Sequence, residues 1–158
     1  MRYIIFVISS MLIVNSCKNN NNIIAPISEQ TLSVSAVSDS MKYTFAIQKQ
    51  SFGIHDVLIA TMTAYNEAAL SKTINVGPSH FSWDLKNDSG RTIMCSPTIV
   101  YMYFVETVIN SHQSNEIYSI HQAISDTSGA PVKAGSYVLN ARLFPFAPST
   151  FSLIISLQ

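Results

Sequence analysis

The chain carries little charge: Lys, Arg, Asp and Glu make up 11% of its 158 residues, with nine basic and nine acidic side chains. The cations are spread singly, without the clustered basic stripe that nucleic-acid-binding proteins present. We therefore exclude a nucleic-acid partner. The hydrophobic content of 47% predicts instead a domain that apolar burial stabilises.

Long hydrophobic runs are also missing, since no run reaches the roughly 20 apolar residues that a membrane-spanning helix needs. The run at the start is about a dozen residues long, follows the single cation Arg2 and is closed by Asn15 and Ser16. This pattern is typical of an export signal that is removed from the mature protein. The length of the remainder indicates one domain.

The segment Val14-Asn15-Ser16-Cys17 resembles the bacterial lipobox, in which the cysteine receives the lipid and becomes the mature amino terminus. We therefore expect residues 1–16 to be a lipoprotein signal peptide, Cys17 to be acylated, and residues 17–30 to form a flexible polar tether. No acidic cluster follows Cys17, which favours a periplasm-facing membrane anchor. A plain signal peptide with an incidental cysteine remains the alternative.

Cysteine is scarce, because only Cys17 and Cys95 occur. If Cys17 carries lipid, Cys95 has no partner for a disulfide within the chain. We expect Cys95 to be a small buried residue at the end of a strand rather than a nucleophile.

From Leu32 onward, apolar residues recur with a period of two, which indicates half-buried strands. Turn signals separate them, and the strongest, Asn87-Asp-Ser-Gly90, predicts a hairpin whose second strand pairs back from Arg91. The one helical candidate, residues 67–71, is too short to stand alone. Residues 31–158 are therefore predicted to be all-β, an antiparallel immunoglobulin-like β-sandwich of about seven to nine strands.

Residues 57–144 resemble the BsuPI-type intracellular proteinase inhibitor domain, which has this sandwich fold. The resemblance lies in five elements: Tyr65-Asn66, Thr73-Ile-Asn-Val76, Phe81-Ser-Trp-Asp-Leu85, Asn87-Asp-Ser-Gly90 and Gly129-Ala-Pro-Val-Lys-Ala-Gly-Ser-Tyr137. Two family features are replaced: Met94-Cys95-Ser96 stands where an aromatic cluster is usual, and residues 110–115 stand where a Pro-Gly turn is usual. The resemblance thus implies the fold more directly than inhibitory activity.

Several residues are expected to have structural roles. Gly90, Gly129 and Gly135 supply backbone freedom at turns. Tyr137 is expected to bury its ring while its hydroxyl keeps a polar partner, and Trp83 to lie in the core.

No catalytic or metal-binding pattern is present. The four histidines lack neighbouring ligands at metal spacing, and Ser119 with His121 lacks an oriented base and an oxyanion pocket. The acidic residues are scattered and are interpreted as solvated surface: Asp39, Asp56, Asp84, Asp88, Glu106, Glu116 and Asp126. We therefore predict a protein without catalysis, metal or cofactor.

The leading hypothesis is a lipid-anchored binding or accessory module of the cell envelope, whose partners are the membrane and an unidentified envelope protein. Its alternative is a proteinase inhibitor that acts through an exposed loop. Polar loops on a rigid scaffold are the expected contact sites, among them residues 87–90 and 125–133. The foremost candidate loop consists of Asn110, Ser111, His112, Gln113, Ser114 and Asn115.

Overall fold

The computed structural model describes residues 31–53, 55–97, 104–126, 129–144 and 150–158. The predicted signal peptide, the lipid attachment at Cys17 and the tether lie outside these residues. The described strands are β1 (Leu32–Ser38), β2 (Met41–Ile47), β3 (Ser51–Phe52), β4 (Val57–Asn66), β5 (Lys72–Val76), β6 (Phe81–Asn87), β7 (Thr92–Cys95), β8 (Val105–Ile109), β9 (Ser114–Ala123), β10 (Gly135–Leu143) and β11 (Thr150–Leu157).

The strands form a four-stranded sheet of order β1-β2-β4-β9 and a five-stranded sheet of order β3-β11-β10-β6-β7. Strands β5 and β8 form a separate two-stranded ribbon. Within the described residues every ladder is antiparallel except the short pairing of β3 with β11. The predicted all-β antiparallel sandwich is confirmed, with eleven strands among the described residues where the sequence predicted seven to nine. The two-residue strand β3 is too short to show the alternation of apolar and polar residues by which strands are predicted.

Alternation along the strands places the core between the sheets. In β2, buried residues alternate with more exposed ones, and β4 and β10 follow the same pattern. Phe45 and Met62 from one sheet and Leu85 and Leu139 from the other are fully buried in a single cluster. Trp83 belongs to the same cluster, so the only tryptophan is a core residue.

Strand β9 contains a β-bulge opposite the middle of β4. Met62 pairs with Tyr118 and Thr63 with Glu116, so Ile117 has no partner in the ladder. A bulge changes the local twist and can redirect a side chain. Here the tyrosine beside the extra residue reaches across to the connection between β5 and β6: the Tyr118 hydroxyl donates to the Gly77 carbonyl oxygen at 2.7 Å.

Two residues differ from the sequence prediction. Cys95 does end a strand, but it is exposed, because its neighbour Met94 takes the buried position on β7 and alternation turns the cysteine outward. Asp84 is buried rather than solvated, because it accepts a hydrogen bond from Asn140 Nδ2 at 2.8 Å and pairs with Arg142 at 2.6 Å. Partners on the adjacent strand thus compensate the buried carboxylate.

Helix is almost absent from the described part of the chain. It amounts to a three-residue 3₁₀ turn, Pro78–His80, and none of the described helix could cross a membrane. The helical candidate at residues 67–71 is an irregular connection from β4 to β5, with bends at residues 68–70. Hydrogen bonds from the side chain of Asn66 to Ala68 and Leu70 order this connection.

Candidate functional site

Three loops meet at one end of the sandwich. They are the β1–β2 turn at Asp39 and Ser40, the β4–β5 loop at residues 67–71, and the β8–β9 turn at residues 110–113. Asn66, the last residue of β4, is fully buried beneath them. We call this region the Asn66 end.

The side chain of Asn66 binds the β4–β5 loop and the last residue of β8. Its Nδ2 donates to the carbonyl oxygen of Leu70 at 2.8 Å and to that of Ile109 at 2.9 Å. Its Oδ1 accepts the backbone N–H of Ala68 at 2.9 Å. A buried amide that has both donors and its acceptor occupied stabilises the structure around it, whereas one left unsatisfied would destabilise it.

The backbone of Asn66 closes the same junction. Its N–H donates to the carbonyl oxygen of Gln113 at 2.9 Å, and its own carbonyl oxygen accepts the N–H of His112 at 2.9 Å. One residue therefore holds both the loop that follows it and the turn between β8 and β9.

Further bonds connect the loops directly. Glu67 N–H donates to the Ser40 carbonyl oxygen at 2.8 Å, and Ser111 Oγ donates to the Ala68 carbonyl oxygen at 2.8 Å. The ammonium of Lys72 lies 2.9 Å from a carboxylate oxygen of Asp39. Because the links run between all three loops, the surface of the Asn66 end is held as one unit.

Backbone strain is concentrated at this end. Among the described residues, the non-glycine residues with positive φ are Asp39 (50°), Ser40 (57°) and His112 (56°), and all three lie here. A non-glycine residue in the left-handed region costs roughly 1–2 kcal/mol. Asp39 and Ser40 are the two residues of the β1–β2 hairpin loop, where positive φ at both positions is a common turn geometry. His112 is kept in this conformation by the hydrogen bonds that fix the β8–β9 turn.

The predicted candidate loop is divided by the structure. Asn110, Ser111, His112 and Gln113 form the turn, whereas Ser114 and Asn115 belong to β9 and pair with Tyr65 and Ala64. The six residues are uniformly polar, so the sequence does not show where the strand begins. The prediction also missed the role of Asn66, for which the available signal was an amide at the end of an otherwise apolar strand.

The other two candidate loops meet at the opposite end, which we call the Tyr137 end. An open cavity of about 240 Å³ lies between them, lined by Asn87 of the first loop and by Asp126, Pro131, Val132 and Lys133 of the second. Tyr137 is buried, and its hydroxyl donates to the Lys133 carbonyl oxygen at 2.7 Å. Desolvation raises the pKa of this hydroxyl above its ordinary value, and the nearby charge of Asp88 adds to the shift.

Glycines provide the unusual backbone geometry at the Tyr137 end. Gly90, Gly129 and Gly135 have φ values of 79°, 82° and 155°. Asn87 closes the β6–β7 turn by accepting the Arg91 N–H on its Oδ1 at 2.9 Å. The hairpin between β6 and β7 therefore has the pairing that the sequence predicted.

Another depression, of about 360 Å³, lies beside the bulge and is lined mainly by apolar side chains, among them Val76, Val105 and Ile117. Tyr118 forms one wall, stacks on Phe81 with ring centroids 4.6 Å apart, and accepts the Gly77 N–H at 3.0 Å. Burial raises the pKa of the Tyr118 hydroxyl. This tyrosine fastens the ribbon connection to the four-stranded sheet.

Within the part of the chain that the structure describes, no three His, Cys, Asp or Glu side chains are grouped so that they could hold a metal ion. Ser119 and His121 lie exposed on the outer face of β9, opposite Thr61 and Ile59.

Comparison with known proteins adds little information about this chain. No protein-family model and no curated protein matches the chain. Solved structures with some similarity include a β-glucosidase of Erythrobacter marinus, with 12% identity and a TM-score of 0.42, and a β-glucosidase of Listeria innocua in complex with glucose, with 7% identity and a TM-score of 0.42. Each alignment covers 81% of this chain but 16% of the glucosidase chain. At this level the similarity supports no argument about function.

Proposed function

We propose that this protein is a non-catalytic, lipid-anchored binding module of the bacterial cell envelope, attached through Cys17 and contacting another envelope protein through the Asn66 end. The observation that carries the proposal is the order of that end. The polar turn at residues 110–113 is held by a buried asparagine and linked to two neighbouring loops. Binding surfaces commonly consist of loops that a rigid scaffold positions.

The path of the chain is compatible with such an anchor. The chain enters the sandwich at Leu32, which pairs with Ile47 at the end of β2. Strand β3 follows Ile47 closely and pairs with Leu157, which in turn lies opposite Gly135. The segment that leads from Cys17 therefore joins the Tyr137 end. The Asn66 end lies at the far end of β1, about 20 Å away for a strand of this length.

The anchor is tested by mass spectrometry and membrane fractionation of the full chain expressed in a bacterium. We expect wild-type protein in the membrane fraction with an acylated Cys17 at its amino end. The Cys17→Ala variant should lose the lipid, whereas the matched Cys95→Ala variant should keep it. An unmodified amino end in the wild-type protein would contradict the proposal.

The contact surface is tested by photo-crosslinking in cells, with p-benzoylphenylalanine at Gln113 in one variant and at Asp88 in another. Both side chains are exposed, but they lie at opposite ends of the sandwich. We expect a discrete protein adduct from position 113 and none from position 88. The same adducts from both positions, or none from either, would contradict a contact through the Asn66 end.

Assays of the purified mature domain against a panel of proteases and hydrolase substrates test the non-catalytic role. We expect neither inhibition nor turnover. Tight inhibition of a protease that is lost on substitution in the loops would replace this proposal by the inhibitor hypothesis, and turnover that is lost in Ser119→Ala or His121→Ala would replace it by an enzyme.

A further inference from the structure

We propose that β1 is an open sheet edge that pairs with β1 of a second copy of this chain. This surface differs from the loops of the Asn66 end, and its role does not depend on the anchor at Cys17. In the described sheets, β1 is the outer strand of the order β1-β2-β4-β9. One edge of β1 pairs with β2 over the whole strand, from Leu32 to Ser38, and no described strand pairs with the other edge.

The β1–β2 hairpin determines which backbone groups point to the free edge. Its loop has two residues, Asp39 and Ser40, so the flanking residues Ser38 and Met41 form a hydrogen-bonded pair. Along an antiparallel ladder, bonded pairs alternate with non-bonded ones. Every second residue of β1 therefore points its N–H and carbonyl groups away from β2: Ser33, Ser35 and Val37. Within the described part of the chain, no hydrogen bond occupies these groups.

Strand β1 lacks the features that keep other sheet edges from pairing. Proteins protect an exposed edge with a charge, a proline, a bulge or a very short strand. Strand β9 has its bulge and Glu116, the ladder of β7 is irregular at Ile93, and β3 has two residues. In the ribbon, β5 carries Lys72 and β8 carries Glu106. The sequence of β1, Leu-Ser-Val-Ser-Ala-Val-Ser, contains no charge and no proline, and its register is uninterrupted.

The same sequence is suited to pairing with itself. In an antiparallel pair whose two-fold axis passes through Ser35, this serine lies opposite its own copy, and Ser33 lies opposite Val37 of the second copy. This register overlaps all seven residues and gives each outward N–H and carbonyl group a partner. A charge at the axis would face its own copy, and like charges opposite each other destabilise a pair. The uncharged strand therefore favours a second copy as its partner.

Apolar side chains on the inner face of β1 support the pairing. Leu32, Val34 and Ala36 pack against the core but are only partly buried, because the sheet ends there. In the register centred on Ser35, Val34 lies opposite Ala36 of the second copy, in a non-hydrogen-bonded pair, where side chains come closest. The pairing thus covers apolar surface at the edge of the core in addition to the backbone groups.

Cysteine crosslinking tests this pair, because a contact through one strand is smaller than the interface of a stable dimer and needs to be trapped. The full-length chain carries Cys95→Ser, which removes the exposed thiol, and Ser35→Cys. It is expressed in a bacterium, and intact cells are oxidised with copper phenanthroline. Opposite residues of a hydrogen-bonded pair have Cα atoms about 5.5 Å apart, which a disulfide spans. We expect about fivefold more dimer than from the Cys95→Ser parent.

The matched control is Ser33→Cys in the same parent. Ser33 lies on the same face and edge of β1 as Ser35, but its own copy lies roughly 13 Å away along the strand, beyond the reach of a disulfide. Its dimer yield should equal that of the parent. Coexpression of the Ser33→Cys chain with a Val37→Cys chain should restore the dimer, because these residues lie opposite each other.

A charge at the axis should break the pair. In a chain that carries both Ser33→Cys and Val37→Cys, addition of Ser35→Lys should lower the dimer yield about fivefold or more, because each lysine faces its own copy. The control Thr44→Lys adds the same charge one strand further in, opposite Ser35 on β2, and should leave the yield unchanged. Equal melting temperatures of the two lysine variants exclude a difference in folding.

Three outcomes would overturn the proposal. The first is a Ser35→Cys chain that stays monomeric. The second is an equal dimer yield from Ser35→Cys and Ser33→Cys, which would indicate collision rather than a defined register. The third is a mixed disulfide between Ser35→Cys and another protein in place of the dimer, which would exclude a second copy as the partner of β1.

Discussion

The two ends of this sandwich meet the same backbone requirement in opposite ways. At the Tyr137 end, the positive φ values belong to Gly90, Gly129 and Gly135, which adopt them without a Cβ penalty. At the Asn66 end, they belong to Asp39, Ser40 and His112. The second end therefore depends on hydrogen bonds from the interior to keep its geometry, whereas the first depends on residue type.

The sharpest way to break this comparison is to remove the interior bonds with Asn66→Leu, which keeps the approximate volume of the side chain. Three backbone groups lose their partner, those of Ala68, Leu70 and Ile109. We expect the free energy of unfolding to fall by about 3 kcal/mol, measured by denaturant titration. The control Asn110→Ala removes an exposed amide and should cost less than about 1 kcal/mol. Equal effects would contradict a special role for Asn66.

Alkaline pH should act on the tyrosine beneath the Asn66 end. Burial, together with the charge of Asp39, raises the pKa of Tyr43 to about 12. The unfolded chain ionises Tyr43 near pH 10, while the folded chain resists ionisation. Its stabilising contribution is therefore complete below pH 10 and is lost as the pH rises through about 12.

Denaturant titrations between pH 9 and pH 12 would measure this loss. In the Tyr43→Phe variant, the free energy of unfolding should decline less over this pH range. The matched control is Tyr65→Phe, because the Tyr65 ring is half-exposed on the outward face of the adjacent strand β4. In this variant the free energy of unfolding should decline with pH as it does in the wild-type protein. A Tyr43→Phe profile that is parallel to the wild-type profile would show that this ionisation does not control alkaline stability.

A glycine substitution sharpens the contrast from the other end. Gly90→Ala meets no atom within 4 Å, so its effect isolates the cost of a φ of 79°. We expect a loss of about 1–2 kcal/mol in the free energy of unfolding. The control Ser89→Ala, one residue earlier in the same turn, should cost less. A neutral Gly90→Ala would mean that the turn changes conformation readily.

Removal of the Tyr137 hydroxyl should lower the free energy of unfolding by a smaller amount. Tyr137→Phe removes a single hydrogen bond, to the Lys133 carbonyl oxygen, and leaves the buried ring in place. We expect a loss of about 1 kcal/mol by thermal or denaturant unfolding. A loss as large as that of Asn66→Leu would show that the two ends depend equally on side-chain bonds.

The smallest expected effect has the opposite sign. His112→Gly relieves a φ of 56° but increases the entropy of the unfolded chain, so the free energy of unfolding should rise by no more than about 0.5 kcal/mol. The matched Gln113→Gly variant, which has no positive φ to relieve, should be destabilised. A clear loss of stability in His112→Gly would contradict strain at this position.

The sequence predicted the Tyr137 end better than the Asn66 end. At the Tyr137 end, residue type alone indicates the structural role. Glycine is typical of turns, as at Gly90, Gly129 and Gly135, and tyrosine combines an apolar ring with a polar hydroxyl, as at Tyr137. Asn66 resembles any polar residue that closes a strand. Its importance arises from contacts with residues 43 positions away, which no local pattern contains.

The same limit explains the corrections within the sheets. The alternation of apolar and polar residues predicted the strands. In β7, however, Met94 occupies the buried position, and the small size of Cys95 does not bring it into the core. Asp84 is buried because Asn140 and Arg142 face it from β10, a pairing between distant parts of the chain. The division between Gln113 and Ser114 likewise follows from the pairing of Ser114 with Tyr65.

The bulge in β9 adds one residue to the strand without changing which of its other side chains face inward. Ile117 is the unpaired residue between Glu116 and Tyr118, so a relative that is one residue shorter at this point would have an uninterrupted ladder, with the same side chains facing inward. A single-residue deletion within a strand ordinarily reverses its two faces. Removal of Ile117 would therefore shorten β9 without reversing its two faces, and the interior would lose one apolar side chain that packs against the core.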